Sequence, residues 1–146
     1  MLWQQNHVLL ETITTLVVHE YQDKQNNRQT VSFSETSVIL DIHGWRFVND
    51  LTAFSICKAA CQLFVQGRLR NVDPPLLFSE EHGFLGFRVL HEDGITFLAF
   101  NRNEGGESQD VAHLDEVAVI AFGLALGKAL NALRDQPVLK LPIKGQ

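Results

Sequence analysis

Residues 117–127 read VAVIAFGLALG, eleven positions without a charge or a side-chain hydrogen-bonding group. They lie inside the longest helical pattern of the chain, which the sequence starts at Asp115 and stops before Pro137. A helix at an ordinary protein surface keeps a polar face, so a helix apolar all round has to be covered on every side. Val119, Phe122, Leu126, Leu130 and Leu133 recur at spacings of three and four and form a bulky face suited to a sheet or core. Ala118, Ala121, Ala125, Ala129 and Ala132 form a strip of small side chains read as lying opposite, with Gly123 and Gly127 beside it. Each mid-helix glycine costs roughly 0.5 to 1 kcal/mol relative to alanine, so close approach of another backbone is expected to offset that cost. Two readings of this seam stay open: packing against another helix of the same chain, or self-association. Eleven apolar residues fall short of the about 20 that a bilayer requires, so no membrane span is expected.

A length of 146 residues, 45% hydrophobic and 20% charged, suits one α+β domain covering residues 1–146 and able to bury a core without metal or disulfide support. The formal net charge of -5 repels polyanions over the surface as a whole. The start, MLWQQNHVLL, lacks the basic segment and long apolar run of a secretory signal, which sets a cytoplasmic expectation. Cys57 and Cys61 fall one helical turn apart in an apolar setting and read as reduced core thiols.

Residues 8–21 are rich in β-branched side chains and predict a strand, preceded by a short ordered arm containing Trp3. The polar residues 22–29 predict an exposed loop. Val31 and Phe33 mark a short strand and residues 37–48 another, with a bend or bulge at Gly44, giving three strands ahead of the first helix. That helix starts at Asn49 or Asp50 and ends near Gly67, with Thr52, Ser55, Lys58, Gln62 and Gln66 as a narrow polar stripe. Residues 67–75 read as a loop. Asp93-Gly94, between two apolar runs, predicts a tight hairpin. Residues 101–110 hold no apolar side chain and include Gly105-Gly106, which predicts a flexible loop, and a last short strand follows before Asp115 caps the long helix. Residues 137–146 read as an extended C-terminal arm.

Strands, an Asp and a largely apolar helix thus come twice, over residues 8–67 and 76–136, with Asp50 and Asp115 offset by 65 positions. The expected fold is antiparallel sheet with two largely buried helices. This element order resembles the Whirly-type single-stranded nucleic-acid-binding regulators, and the resemblance implies a single-stranded nucleic-acid partner.

No phosphate-binding loop, dinucleotide fingerprint, metalloprotease helix or nucleophile elbow occurs, and the six histidines never form a metal-ligand pair. No cofactor or metal is expected. Trp45, Arg46, Arg68, Arg70 and Arg88 are the candidate binding residues, because arginines interleaved with aromatics can hold an anionic single strand by contact and stacking. Phe84, Phe87, Phe97 and Phe100 read more simply as core. Asp41 and His43, two apart on a strand, share a face and could form an acid–base pair. Three functions follow in order: a non-catalytic homo-oligomeric interaction module, first of all a dimer; a single-stranded nucleic-acid-binding regulator; and a small enzyme using Asp41 and His43. The first rests on apolar surface beyond what one two-layer domain hides. Its residues are the small seam Ala118, Ala121, Gly123, Ala125, Gly127 and Ala129.

Overall fold

The computed structural model describes residues 1–70, 77–79 and 82–135. Strands β1 (Leu2–Gln5), β2 (Val8–Gln22), β3 (Arg28–Ile42) and β4 (Trp45–Val48) form one antiparallel sheet in chain order ahead of helix α1 (Leu51–Val65). Strands β5 (Leu77–Ser79), β6 (Gly83–Glu92), β7 (Ile95–Glu104) and β8 (Glu107–Asp115) form a second ahead of helix α2 (Glu116–Arg134). The fold is α+β, as the sequence implies.

Four strands, not three, precede α1. The two short strands expected between residues 31 and 48 are one long strand, β3, then a turn at His43-Gly44 and the short β4. The polar run at residues 34–37 interrupts the apolar alternation in the middle of β3 and divides one strand into two in the sequence pattern. Gly44 is therefore a turn residue and not a bulge. Residues 101–110, expected as a flexible loop, are the facing ends of β7 and β8 around Gly105-Gly106. They lack apolar side chains because this end of the hairpin extends past the core, not because it is unpaired.

The short connections share one solution. Asn6-His7, His43-Gly44, Asp93-Gly94 and Gly105-Gly106 each join paired strands through two residues with positive φ. Such turns match the right-handed twist of the strands they connect. Both helices also begin alike. The Asp50 carboxylate accepts the Ala53 N–H at 3.0 Å, and the Asp115 carboxylate accepts that of Ala118 at 2.9 Å. Each cap contributes about 1 kcal/mol by satisfying an amide with no intrahelical partner.

One continuous core joins the elements. Val8, Leu10, Val38, Leu40, Ile42, Trp45 and Phe47 line the inner face of the first sheet; Leu77, Leu85, Phe87, Leu98, Phe100 and Leu114 line that of the second. Phe122 of α2 links them, stacked on Trp3 at a centroid distance of 4.9 Å and edge-on to Phe100 at 6.3 Å. Of the four phenylalanines expected in the core, Phe87 and Phe100 are buried, whereas Phe84 is exposed and Phe97 sits half-buried against His113 on the opposite face of the sheet. Strand alternation decides this: in the pairing register Phe87 faces Phe100, while Phe97 pairs with Leu90 and Phe84 with Asn103. The β2–β3 hairpin is longer than the core it serves, and its outer half, from about Thr14 to Ser34, projects as a two-stranded arm. The expected C-terminal arm at 137–146 lies outside the described residues, as do residues 71–76 of the loop expected at 67–75.

Candidate interaction surface on the helix pair

Helix α2 is not wrapped on every side by the described residues of its own chain. At about 100° per residue, Ala118, Val119, Phe122, Ala125, Leu126, Ala129 and Leu130 occupy one continuous arc, and all are buried in the core. On the other side Val117, Ile120 and Leu124 are 77%, 46% and 66% exposed. The buried arc spans about 140° at about 100° per residue, so the expectation of complete cover is met over less than half the circumference, and any further cover has to come from outside the described residues. By length and composition alone this 19-residue helix, about 28 Å long at 1.5 Å per residue, could cross a membrane. It instead packs on both sheets and carries Lys128, Asn131 and Arg134 along its exposed side.

The alanines and glycines, expected to share one strip, lie on different flanks of that arc. Ala118, Ala125 and Ala129 adjoin the bulky face instead of opposing it, and Ala121 and Ala132 edge it, half-buried. The glycines turn toward α1. A Cβ added at Gly123 would lie 3.4 Å from Cys61 Cβ, and one at Gly127 3.7 Å from Lys58 Cε and Nζ. Residue numbers rising on α2 meet falling numbers on α1, so the helices run antiparallel, and they approach most closely where Gly123 faces Cys61. The outer side of this seam is a groove of about 290 Å³ between Lys58, Cys61, Gln62, Val65 and Gln66 of α1 and Val119, Ile120, Gly123 and Leu124 of α2. Val65 is itself 45% exposed, so the apolar stripe of α2 continues across the groove onto α1.

Burial keeps the two thiols protonated. It pushes Cys57 well above the usual thiol range and raises Cys61 to about 12. Neither is a nucleophile at neutral pH, since the thiolate is the reactive form.

The basic and aromatic candidates do not converge. Trp45 is buried in the core and stacks on His82 at 5.3 Å, while Arg46, the next residue of β4, points to the outer face. Arg68 and Arg70 are exposed in the segment after α1. Arg88 is committed to Asp110: its Nε donates to both carboxylate oxygens at 2.8 and 3.0 Å, with a further contact through its terminal nitrogen. Asn101 Nδ2 donates to the same carboxylate at 2.9 Å. The Arg88 hydrogen bond draws the Asp110 carboxyl below its ordinary range and raises Arg88 in turn. This is a neutralised pair on a sheet face.

Asp41 and His43 do not make an acid–base site. The Asp41 carboxylate accepts the Gly44 N–H at 2.8 Å and closes the β3–β4 turn. His43 is exposed, edge-on to His7 at 5.1 Å, and its backbone N–H donates to the His7 carbonyl. Among the described residues no cluster of three or more His, Cys, Asp or Glu side chains could hold a metal ion.

The chain matches no protein family, no curated protein and no solved structure with which it was compared. The functional reading therefore stands on the geometry alone. What sequence reasoning missed is the exposed stripe Val117, Ile120 and Leu124. Its signal was present as the polar side chains Lys128 and Asn131, which fall on the same helical arc one and two turns later.

Proposed function

We propose that this protein is a non-catalytic, self-assembling interaction module whose contact surface is the outer face of the α1–α2 pair. The observation that carries the reading is the set of three large apolar side chains of α2, at 77%, 46% and 66% exposure, beside an apolar-walled groove. Single apolar residues on a surface are ordinary, whereas a contiguous stripe next to a groove marks a contact site. A homodimer is the simplest cover, because one patch repeated about a twofold axis supplies both sides. Size-exclusion chromatography with light scattering tests this. The expected mass is twice that of one chain at micromolar concentration, and a monodisperse monomer up to about 100 µM, well above the micromolar Kd of a modest interface, would overturn it.

A second reading, single-stranded nucleic-acid binding, draws on Phe78 and Phe84, which are 58% and 47% exposed with ring centroids 5.1 Å apart. Exposed rings can stack bases. The net charge of -5 and the neutralised Arg88 count against it. A labelled oligothymidylate at low salt is expected to show no anisotropy change, and saturable binding that weakens as salt is raised would favour this reading instead.

A further inference from the structure

We infer that the partner seated on the exposed side of α2 is the β2–β3 arm of a second copy of this chain. The inference rests on the self-assembly proposed above and specifies its contact. On the inner face of the first sheet Val8, Leu10, Val38, Leu40 and Ile42 are covered by the chain's own helices. The same face continues outward along β2 through Leu16, Val18 and Glu20, where no described residue covers it, and Leu16 and Val18 are 68% and 58% exposed. Isolated two-stranded hairpins are marginal in water, so an arm that carries apolar side chains gains stability from a surface to lie on.

The two surfaces correspond in spacing and in charge. Along a strand, alternate residues on one face stand about 6.8 Å apart; along a helix, residues four apart are separated by about 6 Å. Leu16, Val18 and Glu20 on the arm therefore match the rise of Ile120, Leu124 and Lys128 on α2: two apolar side chains and then opposite charges. Neither Glu20 nor Lys128 has an ion-pair partner among the described residues. A twofold axis makes the contact twice, each copy lending its arm and receiving the other's. Each copy so covers on its partner a surface that its own described residues leave open.

Charge exchange tests this contact with the full-length chain. Glu20→Lys and Lys128→Glu each place like charges at both copies of the contact and are expected to weaken self-association at least about tenfold. The double variant, with the pair reversed, is expected to recover wild-type association. An equimolar mixture of the two single variants is more discriminating, because in their heterodimer both arm contacts join opposite charges; native mass spectrometry is then expected to show the heterodimer in excess of either homodimer. Both positions of the exchange, Glu20 and Lys128, are solvent-exposed in the single chain, and unchanged circular-dichroism melts of the dilute variants confirm that folding is intact. A wild-type monomer would overturn both this inference and the assembly on which it rests. A wild-type dimer whose association ignores the charge reversals, or a mixture that forms statistical dimers, would overturn the arm contact alone and leave self-assembly standing.

Discussion

Replacing Leu124 with glutamine separates what this side chain does for one chain from what it does for an assembly. Full burial of a leucine is worth roughly 1.5 to 3 kcal/mol. Leu124 is 66% exposed in the single chain, so only about a third of that contribution is made within the fold. The single chain is expected to lose about 0.5 to 1 kcal/mol, and its melting temperature to fall by no more than about 4 °C. If a second copy covers the rest, each copy loses a further 1 to 2 kcal/mol or so, and a twofold dimer about 2 to 4 kcal/mol. At 1.4 kcal/mol per factor of ten, the dissociation constant rises by roughly 30- to 1,000-fold. Sedimentation velocity over a concentration series reads the association, and circular-dichroism melts of dilute protein read the fold. An unchanged association constant would refute the assignment of this stripe to a contact. A large loss of stability in the dilute variant would instead show that Leu124 belongs to the core.

Gly127→Ala is expected to raise the melting temperature by about 2 to 4 °C, because its new Cβ meets only the movable end of Lys58 at 3.7 Å while the helix gains roughly 0.5 to 1 kcal/mol of propensity; a lower melting temperature would refute that reading of the seam. Asp110 is depressed by Arg88, so its contribution to stability is present above the ordinary aspartate range and is lost as pH falls through the depressed value. Urea midpoints measured from about pH 6 downward should therefore decline less steeply in Asp110→Asn than in wild type, and parallel curves would contradict the assignment. The cysteines act at the other end of the scale. With Cys61 raised to about 12 against 9.0 for an open thiol, stability is complete below about pH 9 and is lost as the unfolded thiol ionises and pH climbs toward the folded value. Both buried thiols should resist Ellman's reagent at pH 8 until denaturant is added, and prompt reaction of the folded chain would show that α1 opens readily.

Much of this architecture is legible in the residues themselves. Asp50, Asp115 and Gly67 bound the helices by capping chemistry, and Asp93-Gly94 fixes its hairpin, because these positions depend on local backbone geometry alone. The Gly105-Gly106 hairpin escapes notice because its strands leave the core there and lose the apolar alternation that normally announces a strand. Strand β3 is divided in the sequence pattern by the polar run at residues 34–37, which separates its two apolar stretches. The site is harder to read than the fold. A helical wheel arranges the residues of α2 but does not say where cover ends, so alanines and glycines that share small size read as one strip although they lie on different flanks and the glycines turn toward α1. Arg88 looks available in sequence because its partner, Asp110, is 22 positions away and reaches it only across neighbouring strands. Asp41 and His43 look like a catalytic pair because alternation places them on one face, until the turn at His43-Gly44 claims the carboxylate.

The four two-residue turns leave the hairpins they close almost no slack. Wherever a hairpin closes through Asn6-His7, His43-Gly44, Asp93-Gly94 or Gly105-Gly106, there is no loop to lengthen and none to reshape around a ligand. These hairpins can be altered by substitution on their strands, not by insertion at their turns. For anyone wishing to graft an epitope or a fluorophore, the five-residue bend 23–27, pinned by the Asp23 carboxylate, is the roomier place to begin.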